Sequence, residues 1–448
     1  MDGQDRPEAI GEIGLQDRCG RGRLMNPRRL PGPFCELGGA VEVPTSKSLT
    51  NRALVVAAAA DGGRIRRPLD CEDTRLLAAA LEQAGWPLSW GNEIVIGPRR
   101  RVEMADVDLG NSGTGSRLIM GLLACVPGRF RVDGTSRLRQ RPMRPLLDAL
   151  EALGSDVASN GGYLPVEVHG RRIQGGALRI RPEVSSQFVS SLLLAAPLMQ
   201  DGLDLEVVGQ LPSRPYIDLT REVLEAFGAT IAYDGSRRWS VGSGGLHPRT
   251  YDVEGDWSAV AFAAAAVAVA GGSVSVGPLS GKSSQGDRAI CEILERAGLD
   301  VAFAGDRVVF TGSMTRAIEA DVSATPDLFP ALSVVAASGP TGSILRGLDH
   351  LRHKESDRLA VMVENLEALG AGFQISGPTL GVVRAIDRNS ARGTRVTAAD
   401  DHRIAMSMAV AALAAGPLEL DDDRCVSKSF PDFWPMWEGL IESGSPIS

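Results

Sequence analysis

Several short stretches of this chain put basic and hydroxyl side chains where helices should begin. In Val43–Arg52, Pro44 and Thr45 close an extended entry, and Lys47, Ser48 and Arg52 follow, leading into the alanine-rich helix Ala53–Ala60. Unpaired amides and the helix dipole attract anions at such a start and disfavour cations there. Lys47, Ser48 and Arg52 therefore read as parts of an anion site. Leu109–Arg117 is a glycine-rich loop containing Gly113 that feeds the apolar helix Leu118–Cys125. Its spacing matches neither a Walker A loop nor G-x-G-x-x-G. Asp133–Pro142 carries Arg137, Arg139 and Arg141, three arginines in five positions. Ser185-Ser186-Gln187 opens another helix, and Ser213-Arg214-Pro215-Tyr216 comes next. Hydroxyls at a helix start cap it, and paired serines also suit phosphate oxygens.

The second half adds Asp327, the run His353–Arg358, Asp400–Arg403 and Lys428–Asp432. Singly, each reads as a cap or a solvated surface element. Together they concentrate Lys and Arg at element starts in a chain with 47 basic against 55 acidic residues and a net charge of −8. That concentration points to a small ligand with several negative charges, carboxylate plus phosphate.

Other chemistries fit poorly. The acidic balance argues against a general nucleic-acid binder. No metal is expected, because H-E-x-x-H is absent and His350-x-x-His353 alone is too little for zinc. No nucleophile elbow is present, and Gly277–Ser283 falls one residue short of a phosphate-binding loop. The six cysteines lie far apart without a C-x-x-C pair, which suits a reducing, cytoplasmic setting. The longest apolar runs, such as Ala259–Ala270, stop short of the ~18 residues a membrane span requires. Residues 1–30 mix acids, Arg, Gly and Pro, and are expected to be a disordered extension.

The elements that must hold these residues repeat. Leu-Glu-x-x-Gly recurs at Leu81–Gly85, Leu150–Gly154, Leu224–Gly228, Leu294–Gly298 and Leu366–Gly370, with a degenerate sixth copy near Trp437–Leu440. Each copy reads as a helix ended by a left-handed glycine and followed by a short strand. Six units of ~70 residues group as two α/β bodies of three units each. Asp252–Asp256 marks a crossover between them.

Taken in order, Pro44–Arg52, Gly110–Arg117, Asp133–Pro142, Ser185–Gln187, Ser213–Tyr216, Gln285–Asp287, Lys354–Arg358, Asp401–Arg403 and Lys428–Asp432 resemble the motif series of the 5-enolpyruvylshikimate-3-phosphate synthase family. The likeness runs from about residue 34 to 435. It implies a two-domain inside-out α/β barrel, each domain three βαβαββ repeats, with the active site in the interdomain cleft. It also implies an inserted N-terminal domain at 45–254 and a discontinuous C-terminal domain at 31–44 and 255–448. The implied reaction moves the enolpyruvyl group of phosphoenolpyruvate to the 5-hydroxyl of shikimate 3-phosphate and releases phosphate. It needs no cofactor, and a cytoplasmic monomer is expected.

By the same resemblance, Asp327 accepts the hydroxyl proton, Glu355 protonates the methylene carbon, and Lys47 joins them in catalysis. Shikimate 3-phosphate falls to Lys47, Ser48, Arg52, Ser185, Ser186, Gln187, Ser213, Asp327, His350 and Lys354. Phosphoenolpyruvate falls to Lys47, Gly113, Arg141, Gln187, Arg358, Arg403 and Lys428. His350 departs from the family pattern and is expected to make binding pH-dependent near neutrality. Gly113 is expected to leave room for glyphosate to compete with phosphoenolpyruvate. Two alternatives stay open: transfer to a related acceptor, and a catalytically silent binding protein on the same scaffold.

Overall fold

The computed structural model describes residues 26–182, 185–388, 391 and 393–447. In chain order its helices are α1 Lys47–Ala59, α2 Glu72–Gln83, α3 Gly113–Cys125, α4 Arg144–Ala152, α5 Gln187–Ala195, α6 Pro215–Ala226, α7 Trp257–Ala270, α8 Ile290–Ala297, α9 Phe329–Ser338, α10 Arg358–Ala368, α11 His402–Ala415 and α12 Phe433–Glu442. The repeated Leu-Glu-x-x-Gly endings fall on the even-numbered helices. Gly85, Gly154, Gly228, Gly298 and Gly370 all take positive φ, between 89° and 112°, where a side chain would be strained.

Odd and even helices do different work. α7 runs Trp-Ser-Ala-Val-Ala-Phe and onward in Ala and Val, and is buried from Trp257 to Ala268. A helix apolar on every side has to sit inside a body. α11 is buried along its whole length and α3 almost so. The even helices bury one face only, as α4 does with Leu146, Leu147, Ala149 and Leu150. Four-stranded sheets cover the outside. Met104–Asp108 lies parallel to Gly128–Asp133, which pairs antiparallel with Tyr163–Gly170, and Asp156–Asn160 closes the edge. The same order recurs in the unit that starts at Gly176–Ile180 and in the one that starts at Glu319–Asp321. The sheets surround the inner helices without closing into a hydrogen-bonded barrel among the described residues.

Two cores result. One gathers residues from Leu49 to Val253; the other joins Leu30–Val43 to Trp257–Ile441. The chain crosses between them twice, and each crossing strand completes a sheet. Ala40–Glu42 lies parallel to Ser273–Gly277, and Thr250–Asp252 lies parallel to Gly63–Arg66. The crossings run side by side: Thr45 bridges Gly255, Ser46 N donates to Glu254 O at 2.8 Å, and Asp256 N donates to Pro44 O at 2.8 Å.

The expected N-terminal extension needs correction at its end. Residues 1–25 lie outside the described residues, but Arg28–Leu30 is a strand paired antiparallel with Leu418–Leu420. That pairing buries Leu30 and closes a sixth, three-stranded sheet. No helix among the described residues is long and apolar enough to cross a membrane.

Candidate active site

The buried helices of both bodies begin at one place. Lys47, Gly113, Gln187 and His402 open α1, α3, α5 and α11, Asp256 caps α7, and Asp327 precedes α9; all six line one cleft between the bodies. Six helix dipoles thus point their positive ends at a common volume. Added to them are seven cationic side chains against four carboxylates: Lys47, Arg52, Arg117, Arg141, Lys354, Arg358 and Arg403 face Asp73, Asp256, Asp327 and Glu355. A protein of charge −8 has gathered an excess of positive charge here.

The carboxylates are tightly engaged. Asp327 accepts from Arg358 Nη1 at 2.6 Å, Arg403 Nη2 at 2.9 Å and the Tyr216 hydroxyl at 2.7 Å. Burial pushes its carboxyl up, but the Arg403 and Arg358 guanidiniums prevail and hold it well below the usual carboxylate range. Arg358 also donates to Asp401 Oδ2 at 2.7 Å. Glu355 Oε2 lies 2.9 Å from His402 Nδ1 and 3.4 Å from Lys428 Nζ. Burial raises Glu355 too, yet His402 and Lys428 leave it well below its ordinary value. Lys47 Nζ pairs with Asp73 Oδ2 at 2.9 Å; burial would lower its pKa, but Asp73 and Glu355 raise it. Glu355, Asp401 and His402 stand close enough to share an ion. Arg358 and Lys428 already neutralise the two carboxylates, so the cluster is a charge network.

Other cations are unanswered. The Arg141 guanidinium and the Lys354 ammonium make no side-chain hydrogen bond or ion pair with a described residue, and Lys428 Nζ lacks a hydrogen-bond partner. Arg141 is 7% exposed and Lys428 3%. Burying a charge without a partner is costly, so Arg141 and Lys354 suit an anion that arrives from outside, whereas Lys428 already has Glu355 beside it. Burial pushes Lys354 down to about 8, with Asp327 opposing and Arg358, Arg141 and Arg117 reinforcing. Affinity for anions should therefore fall as pH rises through about 8, where the ammonium loses its proton. The limb belongs to the free protein and is read in kcat/KM. Lys354→Arg should erase it, and a pH profile of kcat/KM across pH 6.5–9.5 checks both.

Fourteen of the residues singled out in the sequence line this cleft: Lys47, Ser48, Arg52, Gly113, Arg141, Ser185, Ser186, Gln187, Ser213, Asp327, Lys354, Glu355, Arg358 and Arg403. Arg52 arrives with its donors spent on Thr220 Oγ1, Ser190 Oγ and the carbonyls of Ser48 and Tyr216. It holds the wall in shape. Lys428 stands behind Glu355. His350 is buried outside the lining, and burial pushes its pKa down to about 3, so the expected titration near neutrality does not arise from it. Sequence reasoning passed over Arg117, Tyr216, Asp256 and His402, each inside or beside a quoted motif. Arg117 donates to Gln187 Oε1 at 2.6 Å and Gln187 Nε2 to Thr114 Oγ1 at 2.9 Å, fixing the amide at the mouth of α5. Asp73 carried no sequence signal.

The fold, with its inner helices aimed at one anion cleft, is that of the enolpyruvyl transferases. NikO from Streptomyces tendae, described as an enolpyruvyl transferase, superposes with a TM-score of 0.73 at 20% identity, covering 93% of this chain and 98% of that one. The EPSP synthase of Acinetobacter baumannii gives 0.74 at 26% identity, covering 94% and 99%. The 3-phosphoshikimate 1-carboxyvinyltransferase of Methanoculleus marisnigri is 41% identical over 415 residues, 90% of this chain and 97% of the relative. That of Syntrophobacter fumaroxidans is 37% identical over 439 residues, 92% and 99%. Residues 33–437 match the family described as EPSP synthase (3-phosphoshikimate 1-carboxyvinyltransferase), and the chain belongs to it.

Proposed function

We propose that this protein is an enzyme that transfers the enolpyruvyl group of phosphoenolpyruvate to the 5-hydroxyl of shikimate 3-phosphate, releasing phosphate. The observation that carries the reading is the pair of unanswered cations, buried Arg141 from one body and half-buried Lys354 from the other, in one cleft. Each substrate brings a carboxylate and a phosphate, and planar guanidiniums pair with both bidentately. Residues 45–254 act as one domain, and 31–44 with 255–448 as the other.

The reaction needs a proton taken from the hydroxyl, a proton given to the methylene carbon and a cradle for the departing phosphate. Asp327 is the base. Its partners Arg358 and Arg403 turn to the incoming anion, which releases the carboxylate from its restraints and raises its basicity. Glu355 is the acid: phosphoenolpyruvate claims Lys428, so the carboxyl regains an affinity for the proton it delivers to C3. C2 then becomes electrophilic and the 5-oxygen adds to it. The new methyl returns one proton to Glu355 as C–O cleavage expels phosphate toward Lys47, Arg141 and Lys428, restoring the C=C bond, and the departing phosphate takes the proton held by Asp327. Ser48, Ser185, Ser186, Gln187, Ser213 and Lys354 hold shikimate 3-phosphate, while Gly113, Arg141, Gln187, Arg358, Arg403 and Lys428 hold phosphoenolpyruvate.

The direct test mixes the protein with both substrates in EDTA and follows phosphate release. Release with phosphoenolpyruvate alone, or none with both present, would refute the reading. The same reading makes the protein a cytoplasmic monomer that acts without nucleic acid, and a glyphosate target at the phosphoenolpyruvate site. A methyl added at Gly113 would land on the Arg141 guanidinium, the mobile end of a long side chain. Gly113→Ala should therefore leave stability unchanged while displacing Arg141. An increase of about tenfold, ~1.4 kcal/mol, is expected in KM for phosphoenolpyruvate alongside weaker glyphosate inhibition. Steady-state kinetics showing an unchanged KM would overturn the Arg141 assignment.

A further inference from the structure

The three arginines of Arg137-Leu138-Arg139-Gln140-Arg141 have separate fates. Arg139 clamps Asp133 through two bonds, Nε to Oδ1 at 2.8 Å and Nη2 to Oδ2 at 2.7 Å, within its own body. Arg141 enters the cleft. Arg137 crosses to the other body: its Nε donates to the Glu355 carbonyl at 2.9 Å and its Nη2 to the Lys354 carbonyl at 3.3 Å.

The receiving segment is irregular. It lies between the short 3-10 turn Asp349–His353 and α10, and no backbone N–H bonds to either carbonyl among the described residues. Its side chains nevertheless carry one unanswered cation and the carboxylate beside Lys428. Something has to fix their direction, and Arg137 supplies two donors in a rigid fork. Lys47, Arg141, Arg358 and Arg403 are each less than a tenth exposed. Substrates of this size enter only if the bodies part, and parting breaks the Arg137 bonds along with Tyr216–Asp327 and Ser213 N–Ser323 O.

We propose that Arg137 is a positioning residue: reaching across the cleft, it seats the backbone of Lys354 and Glu355 so that their side chains meet the bound anions. The proposal rests on the enolpyruvyl-transfer reading and adds a residue to it. Arg137 touches no reacting atom and acts through the segment it holds.

Arg137→Ala tests this in the full chain. A tenfold or larger fall in kcat is expected, with partial recovery in millimolar guanidinium, which fills the vacated place. A second readout separates positioning from general damage. Lys354 faces Asp327, His350, Arg358, Arg141 and Arg117 in a dry setting. Once its segment loosens and takes up water, the alkaline limb of kcat/KM near pH 8 should move upward. Arg137→Lys keeps the charge but not the fork, and should fall between parent and Ala; it carries the same readings if the Ala variant does not fold. A folded variant with kcat within twofold of the parent overturns the proposal. So does a loss of kcat with the limb unmoved and no guanidinium recovery. If the parent itself releases no phosphate, the functional reading fails instead, and the pH dependence of inorganic phosphate binding in parent and variant still tests Arg137.

Discussion

Asp327→Asn is expected to lower kcat by about 10²–10⁴-fold, the range a general base contributes, without weakening either substrate. Asn keeps the shape of the side chain and an oxygen for the Tyr216 hydroxyl. It removes the negative charge that Arg403 and Arg358 now share. The cleft becomes more positive, so dissociation constants of the anionic substrates should hold or tighten. The free protein should lose stability, because two buried guanidiniums lose a counter-charge. Its pH dependence has a definite sign. The folded-state pKa of Asp327 is depressed, so its contribution is present above the unfolded value of ~3.9 and disappears as pH falls through the lower folded value. Parent and variant should therefore converge in stability in strong acid. Rapid-quench kinetics and calorimetric titration separate the two effects. Turnover within tenfold of the parent would remove Asp327 as the base, and a parallel loss of affinity would make it a binding group.

Arg358→Met is expected to damage folding and activity together. Arg358 is 2% exposed and bridges Asp327 to Asp401, which is fully buried. Taking away one partner of a buried ion pair costs about 3–5 kcal/mol, because the other charge is left in a poor solvent. Two carboxylates are affected here. Among the described residues, Asp401 keeps the Ser356 hydroxyl at 3.2 Å and the Arg403 amide at 3.0 Å. Urea unfolding should show the loss at pH 7.5, and a smaller loss at lower pH, where the stranded carboxylates can take protons. Adding Asp401→Asn should restore much of the stability by removing the orphaned charge. It should restore no phosphate release, since the guanidinium that turns to the substrate is still missing. Recovery of activity in the double variant would show that Arg358 only balances Asp401.

The chain made its repeats legible because a helix end is a local event. Leu-Glu-x-x-Gly needs only its own turn and a left-handed glycine, so the signal survived at five of the six places. The sixth, around Trp437–Leu440, lacks the pattern, and its sheet has three strands rather than four. Arg28–Leu30 reads as part of a tail because three residues carry no periodicity. Their strand exists only because Leu418–Leu420, 390 positions on, offers an edge.

The cleft divides in the same way. Residue type and position at a helix start mark Lys47, Gln187 and Arg403 as groups for an anion, because the helix dipole is written into the order of elements; the role of Asp327 as base comes from the family resemblance. Which cations stay free for that anion was decided by packing. Arg52 and Arg141 look equivalent in sequence, yet one is spent on Ser48, Ser190, Tyr216 and Thr220 while the guanidinium of the other has no partner among the described residues. His350 and Lys428 behave likewise: burial takes the first out of titration, and Glu355 gives the second its neighbour. The units, their helix ends and the sign of the ligand can be read from residue order because each depends on near neighbours along the chain. Pairing and pKa arise on folding, because they depend on distances of a few ångströms and on excluded water between residues hundreds of positions apart.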